Sequence, residues 1–188
     1  MQGFNFKESI RKGWTFVVIG PLRERRICLD KICHELATRT ANKSLSVQPI
    51  FVGQGEWLEK IEKMRHKLPH QINILEFGKN SRNVNFNQNN WFTTVFNARH
   101  FENIVVMLLG EESDIIPALR CAVDVVFLVG ISSWKNNHKL IHNICQKWIV
   151  TEPYSKVSDI ISKTQKSDCI VVNHDRNFYT KLYKWKLP

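Results

Sequence analysis

The fold is decided by one stretch of the chain, Trp14 to Lys43, whose sequence is WTFVVIGPLRERRICLDKICHELATRTANK. Its first part, Thr15 to Ile19, is a short apolar run of β-branched and aromatic residues, which predicts a buried strand. Gly20-Pro21 ends that run. Further on, apolar residues recur at helical spacing at Ile27, Leu29, Ile32, Cys33, Leu36 and Ala37. The stretch therefore predicts a strand, a tight turn and a helix, which is the layout of a phosphate-binding βα unit.

The turn of this unit lacks the residues that usually bind phosphate. A P-loop has the pattern G-x-x-x-x-G-K-[ST], in which the second Gly admits the phosphates, the Lys reaches their oxygens and the hydroxyl holds magnesium. In the frame that starts at Gly20, these three positions are Arg25, Arg26 and Ile27. Arg25 would crowd the backbone approach that glycine permits, and Ile27 has no oxygen for a metal ion. We therefore predict the architecture of a phosphate site without its usual chemistry.

The rest of the chain alternates apolar runs with helical patterns. Further strands are predicted at Val47–Val52, Ile72–Phe77, Ile104–Leu109, Val125–Val129, Trp148–Val150 and Cys169–Val172. Helices are predicted at Glu56–Lys67, Trp91–Arg99, Ile115–Ala122, Trp134–Lys147, Val157–Thr164 and Asn177–Trp185. Such alternation indicates βαβ units, so we predict a three-layer α/β/α fold with a mostly parallel sheet, Rossmann-like in architecture.

The chain has 188 residues and no internal repeat, so we expect a single α/β domain over 1–188. Residues 1–13 are expected to form an N-terminal arm or short helix. The Asn-rich stretch 78–90 is polar and aperiodic, which predicts a loop suited to partner contact. Residues 177–188 are predicted to form a C-terminal helix that is basic and aromatic, with Tyr179 and Tyr183.

A net charge of +10 is the strongest compositional signal, and it favours an anionic partner such as nucleic acid, an acidic membrane surface or an acidic protein. The five cysteines fall inside predicted helices and strands, which favours free thiols in a reducing compartment. No apolar leader and no membrane-length apolar run occurs, so we expect a cytoplasmic protein.

Four further segments are similar to motifs of one family. Phe6–Arg11 (FKESIR) resembles a pre-strand helix E-x-x-R-x-L-R, and Phe101–Met107 (FENIVVM) resembles the segment Y-D-x-V-I-I-D that ends on a metal-associated aspartate. Ala118–Val129 (ALRCAVDVVFLV) is similar to A-x-x-x-x-x-D-x-V-L-L-V, and Ile170–Asn173 (IVVN) to G-V-V-L-N. Together with the frame at Gly20, these segments resemble the MinD/ParA-like P-loop ATPases, in particular the cytoplasmic bacterial tyrosine kinases and exopolysaccharide-secretion ATPases.

This resemblance implies a P-loop NTPase-like fold whose Walker motifs are lost. The acidic position becomes Met107, whose thioether is a poor magnesium ligand. The family's base-side contact corresponds to Asn173. We therefore expect no catalytic residues, no metal and no cofactor. Weak nucleotide or phosphate binding stays open, because Arg23, Arg25 and Arg26 at a helix N-terminus would attract an anion.

The function implied by the resemblance is that of a non-catalytic scaffold or regulatory subunit. It would act through protein contacts in a larger assembly, such as a membrane-associated synthase or secretion complex for exopolysaccharide or cellulose at the inner membrane face. Three alternatives stay open: a residual nucleotide-binding ATPase or tyrosine kinase, a basic nucleic-acid-binding module, and an unrelated Rossmann-like enzyme. Of these, nucleic acid is not the favoured partner, because no known nucleic-acid-binding motif occurs in the sequence.

Two polar clusters are candidates for metal or catalytic sites. His138, His142 and Cys145 would share one helix face, but no fourth zinc ligand is evident, which favours an ordinary helix surface with a buried Cys. Glu111, Glu112 and Asp114 follow the apolar run Ile104–Leu109 and could hold a cation, although acidic residues at this position more often cap the next helix.

Overall fold

The computed structural model describes residues 1–10, 13–39, 46–64, 71–77, 91–110, 120–149, 151–174 and 180–188. Its strands are β1 (Gln2–Gly3), β2 (Thr15–Ile19), β3 (Ser46–Val52), β4 (Gln71–Phe77), β5 (Ile104–Leu109), β6 (Val125–Leu128), β7 (Asp168–His174) and β8 (Thr180–Lys186). Its α-helices are α1 (Phe6–Ser9), α2 (Leu22–Arg39), α3 (Trp57–Lys63), α4 (Trp91–Asn97), α5 (His138–Trp148) and α6 (Tyr154–Ser162), with 3-10 turns at Ala98–Phe101 and Ile131–Trp134.

The eight described strands form one sheet in the order β1-β8-β7-β6-β2-β5-β4-β3. Strand β2 lies near the centre, parallel to both β5 and β6, and every residue of β2 is buried. Only β7 runs against the others, antiparallel to β6 and β8. The predicted α/β fold with a mostly parallel sheet is therefore confirmed.

The sheet separates two hydrophobic layers. One layer packs α3, α4, α5 and α6 against the sheet, with Trp57, Val95, Ile144 and Ile161 among its buried side chains. The other packs the long helix α2 and the N-terminal arm against the opposite face. In that layer Phe4 and Phe6 lie against Phe127 and Trp185, so the arm is part of the core. None of the described helices is long and apolar enough to cross a membrane.

The predicted C-terminal helix is wrong, because residues 180–186 form strand β8. Tyr183 and Trp185 both lie in the layer of α2, and Leu182, which precedes Tyr183, lies in the opposite layer. A two-residue alternation is the period of a strand. The basic residues of this segment made that period difficult to recognise in the sequence. Tyr183 packs its ring 5.6 Å from the ring of Phe4, while Tyr179 lies outside the described residues.

Several other predicted boundaries shift. Helix α5 begins only at His138, where the Asn137 side chain accepts a hydrogen bond from the Leu140 N–H at 3.0 Å. The strand predicted at 148–150 is wrong at Trp148, which is the last residue of α5. Helix α6 begins at Tyr154, directly after Pro153. The predicted loop 78–90 and residues 115–119 of the helix predicted at 115–122 lie outside the described residues.

At the amino edge of the sheet, a buried carboxylate joins β2 to β6. Asp124 accepts a hydrogen bond from the Thr15 N–H at 2.8 Å, and its own N–H donates to the Thr15 carbonyl at 2.9 Å. Arg99 lies 3.5 Å from the other carboxylate oxygen and donates to the Ala122 carbonyl at 2.9 Å. These contacts fix the starts of two central strands relative to each other.

We expect Asp124→Ala to lower the free energy of unfolding by about 2–4 kcal/mol, because it leaves the buried Thr15 N–H without an acceptor and Arg99 without its carboxylate. Asp124→Asn should cost less, since an amide oxygen still accepts from Thr15. Urea unfolding of the two variants measures the difference. Equal losses in both would contradict this role of the carboxylate.

The β7–β8 hairpin is held by a second buried carboxylate, Asp168. Its Oδ2 accepts from Lys184 Nζ at 2.7 Å and from the Gln165 N–H at 2.7 Å. Burial raises the pKa of Asp168, but the hydrogen bonds from Lys184 and Gln165 and the nearby lysine charges outweigh it, so the pKa lies below its ordinary value. The ionised form is therefore the one that stabilises the hairpin.

A carboxylate with a lowered pKa in the folded state stabilises the protein above its ordinary value of 3.8 and loses that contribution as the pH falls through the folded-state pKa. We expect Asp168→Asn to lower the free energy of unfolding at pH 7 by about 2 kcal/mol, because Lys184 is partly exposed and the pair is weaker than a fully buried one. The variant should also lose less stability than the wild type on acidification below pH 4. Urea unfolding at several pH values, with the exposed Asp159→Asn as control, tests this, and parallel pH profiles would contradict it.

Candidate functional site

The site singled out by the sequence is the turn between β2 and α2, and in the structure this turn is very short. Strand β2 ends at Ile19, and α2 begins at Leu22, directly after Gly20-Pro21. The Arg25 N–H already donates to the Pro21 carbonyl at 3.0 Å, which is a helical hydrogen bond. A loop that surrounds phosphates needs several backbone N–H groups outside the helix, whereas here the residues of that loop are in the helix.

The backbone of the turn is packed against both neighbouring strands. The Gly20 N–H donates to the Leu109 carbonyl at 3.2 Å, at the end of β5. On the other side, a Cβ atom on Gly20 would lie 2.3 Å from the Val129 carbonyl oxygen, and Gly20 has a φ of +151°. Gly130, with a φ of +65°, approaches Pro21 so closely that its own Cβ would lie 2.7 Å from the proline Cδ. The turn is therefore closed by backbone contacts from β5 and from the residues after β6.

The four positions expected around a phosphate now have definite environments. Arg25 is buried, and Ile27 is half-buried against the hydrophobic layer beneath α2. Arg26 is half-exposed and forms an ion pair with Glu76, with 2.6 Å between Nη2 and Oε2. Arg23 is exposed in the first turn of α2. The arginine at the position predicted to correspond to the P-loop lysine is thus engaged with a carboxylate of the protein itself.

That carboxylate was missed by sequence reasoning. Glu76 is the penultimate residue of β4, near the carboxyl edge of the sheet, and its side chain is 16% exposed. Strand β5 lies between β4 and β2, so Arg26 reaches across it to make the pair. The available signal was a lone charge near the end of the run QINILEF, whereas the family resemblance puts the acidic position in the next strand, at Met107.

Two positions taken from the family resemblance lie away from this turn. Met107 is fully buried inside β5, opposite Val17 and Leu75 of the neighbouring strands, so it belongs to the core. Asn173 is opposite Val125, at the start of β6 and therefore at the amino edge of the sheet. A strand rises about 3.3 Å per residue, which puts Asn173 more than about 10 Å from the Gly20 turn along the sheet. The predicted base-side contact of Asn173 is not supported, because β7 runs antiparallel.

The other candidate clusters have local partners. His138 Nδ1 lies 2.9 Å from the Tyr154 hydroxyl, and the His142 ring packs edge-on to Tyr154. Cys145, on the same helix, is buried. Within the described part of the chain, no group of three or more His, Cys, Asp or Glu side chains could hold a metal ion. Glu111, Glu112 and Asp114 lie outside the described residues.

The five cysteines are free. Burial, and then the charge of Asp30, raises the pKa of the Cys33 thiol to about 11, and burial raises the pKa of the Cys145 and Cys169 thiols. Since the thiolate is the nucleophile, these side chains are poor candidates for nucleophilic catalysis at neutral pH.

No protein-family model matches the sequence, and no curated protein matches it. Solved structures do match the fold. The genome packaging NTPase B204 from Sulfolobus turreted icosahedral virus 2, in complex with ATP-gammaS, matches with a TM-score of 0.59 at 11% identity, covering 94% of this chain and 100% of the other. The chain has the fold of a P-loop NTPase. The same protein in complex with sulfate gives a TM-score of 0.58 at 11% identity, covering 95% of this chain and 99% of the other.

At 11% identity these matches show the P-loop NTPase-like fold alone. They support the P-loop part of the sequence resemblance, while the MinD/ParA branch stays a prediction. Neither structure is named as a component of exopolysaccharide or cellulose machinery, so that pathway has no support from them.

We expect Gly20→Ala to lower the free energy of unfolding by about 3 kcal/mol or more, because the new methyl group meets the Val129 carbonyl and the residue keeps a positive φ. Gly55→Ala is the matched control, since Gly55 has a φ of +57° with no atom within 4 Å of an added Cβ. It should cost only the backbone term of about 1 kcal/mol. Thermal or urea unfolding compares the two, and equal losses would show that Gly20 is not tightly packed.

Proposed function

We propose that this chain is a P-loop NTPase-like protein that does not hydrolyse nucleotide and acts through binding contacts in a larger assembly. One observation supports this most strongly: α2 begins directly after Gly20-Pro21, which leaves no phosphate-binding loop between β2 and the helix. An NTPase of this fold positions phosphates with backbone N–H groups, a lysine and a metal-bound hydroxyl. The turn has no lysine and no hydroxyl at the corresponding positions, and from Arg25 onward the N–H groups are bonded within α2.

The side chains around the turn support the same proposal. The Arg26 guanidinium pairs with Glu76, so the carboxylate at the end of β4 is neutralised within the protein. Ile27 replaces the hydroxyl that would hold magnesium, and Met107 lies in the core. A catalytic role would require Arg26 and Glu76 to separate and the first turn of α2 to unwind. Both changes would remove contacts that the fold uses.

The proposal also includes the kind of assembly in which the chain acts. The sequence resemblance suggests exopolysaccharide or cellulose secretion, whereas the structures that match over nearly the whole chain are genome-packaging NTPases. We favour an assembly that handles nucleic acid, because the protein has a net charge of +10. In such an assembly this chain would be a structural or regulatory subunit beside an active NTPase.

The first test is equilibrium binding of ATP and ADP, with and without magnesium, by calorimetry and thermal shift, together with a phosphate-release assay. A ligand at 100 times its dissociation constant would stabilise the fold by about 2.7 kcal/mol, which is easily detected. We expect no magnesium-dependent binding at millimolar nucleotide and no phosphate release. Magnesium-dependent binding that is lost in Arg26→Ala and kept in the control Arg23→Ala would instead establish the residual ATPase alternative.

A second candidate function is nucleic-acid binding by the chain itself. The specific observation in its favour is the net charge of +10 on a fold shared with genome-packaging NTPases. Binding to phosphates would weaken steeply with salt, because each contact releases condensed counterions. This second function does not depend on the nucleotide test, since a closed turn and a basic surface are separate features.

A further inference from the structure

We propose that the phosphate backbone of a nucleic acid binds to one lysine-rich surface, formed by Lys31, Lys166, Lys184 and Lys186, which we call the Lys186 cluster. This inference rests on the second candidate function above and assigns it to a place on the molecule. The cluster lies where the β7–β8 hairpin meets α2, at the carboxyl edge of the sheet.

The hairpin brings two of these lysines together. Lys186 is paired with Asp168 at the end of the β7–β8 ladder, and beyond it the Leu187 N–H donates to the Ser167 carbonyl at 2.8 Å. Lys166 lies in the turn Gln165–Asp168 that leads into β7, where the Asp168 N–H donates to the Gln165 carbonyl at 3.0 Å, so it is two residues from the partner of Lys186. Both side chains belong to exposed residues.

Helix α2 adds a third lysine from the other side of the hairpin. Lys31 Nζ donates to the Lys186 carbonyl and lies 4.5 Å from the centroid of the Trp185 ring. A cation over an aromatic face is held in place without being neutralised. The contact therefore fixes a positive charge beside the Lys186 backbone on the α2 side of the hairpin end, while the side chains of Lys184 and Lys186 alternate with Trp185 and leave the strand on the other side.

Little of the positive charge of the Lys186 cluster is neutralised by carboxylates of the protein. Asp168 lies among these lysines, but it is 1% exposed and its Oδ2 is bonded to Lys184. Over the described residues, no ion pair joins Lys166 or Lys186 to a carboxylate. Several lysines around one buried carboxylate produce a positive surface potential that a folded protein does not need for its own stability, and an anionic partner would complement it.

The surroundings favour phosphates over a lipid surface. A peripheral membrane site combines lysines with apolar side chains that enter the bilayer. The large apolar side chains that are exposed among the described residues are Met1, Leu22, Val47, Phe51, Leu58 and Phe96, and none belongs to the cluster. Trp185 is 6% exposed and engaged in the core, so it offers no face for base stacking. Contacts through lysines alone imply binding that depends on salt and tolerates any sequence.

The test compares two double variants of the full chain. Lys166→Gln with Lys186→Gln removes the two exposed charges of the cluster and keeps Lys31 and Lys184, which contact Trp185 and Asp168. Lys135→Gln with Lys139→Gln is the control, because these lysines are also exposed but lie next to and within α5. Thermal unfolding verifies that both variants are folded.

Binding is measured by fluorescence anisotropy with labelled 20-nucleotide DNA, single- and double-stranded, over a range of sodium chloride concentrations. Each lost phosphate contact should reduce the slope of log K against log salt by about 0.7–0.9, so the cluster variant should lose about 1.4–1.8 of the slope and bind at least about tenfold more weakly at 0.1 M salt. The control should change both quantities by less than half as much.

The outcomes separate the inference from the function on which it rests. If the wild type does not bind DNA at low salt, nucleic-acid binding fails and the assignment of its surface fails with it. If the wild type binds and both double variants weaken binding equally, the function stands and the Lys186 cluster is not its surface. If the cluster variant loses binding only to phosphatidylserine-containing vesicles and keeps its DNA affinity, the partner is a lipid surface and the proposal is overturned.

Discussion

The close approach of Gly20 to the strands on either side is the constraint on which the rest of the structure depends. Its N–H is bonded to the end of β5, and the Val129 carbonyl after β6 occupies the space that any Cβ would need. A residue larger than glycine would push two central strands apart. Because the chain turns in so little space, α2 begins at once and packs along the sheet for 18 residues.

This constraint also decides the chemistry of the turn. In a phosphate-binding loop, the residues after the first glycine leave the helix and direct their N–H groups towards the ligand. Here Pro21 fits against Gly130, and the residues that follow are helical, so that from Arg25 onward the N–H groups enter the hydrogen bonds of α2. Arg26 then lies on the second turn of a helix, where its guanidinium reaches Glu76 across β5. The space around the turn is thus occupied by contacts of the protein with itself.

In the β7–β8 hairpin, different side chains supply the packing of the core and the charge of the surface. The β7–β8 hairpin buries Trp185 against the N-terminal arm, whereas the lysines that alternate with the aromatic residues of β8 stay partly or fully exposed. Asp168 secures the hairpin by bonding Lys184, but it compensates only part of the positive charge around it. Stability and surface potential are therefore supplied by different residues of one short strand. This arrangement allows the basic surface to change without loss of the core.

The elements that depend on neighbouring residues could be predicted from the sequence. The buried strand at Thr15–Ile19, the turn at Gly20-Pro21 and the doubly apolar run at Ile104–Leu109 were each evident from composition and spacing, and together they determined the α/β class. The sequence also predicted a turn without the Gly, Lys and hydroxyl residue of a P-loop, because the corresponding positions are Arg25, Arg26 and Ile27. These inferences succeed because side-chain volume, charge and periodicity are properties of neighbouring residues.

Contacts between residues far apart in the sequence became evident only in the three-dimensional structure. The order of the strands places β5 between β2 and β4, which brings Glu76 to Arg26 and leaves Met107 in the core. The antiparallel direction of β7 moves Asn173 to the opposite edge, and the pairing of β8 with β7 and β1 makes a strand of residues whose basic and aromatic composition suggested a helix. Strand order and direction depend on packing between segments far apart in the chain, and no local pattern records them.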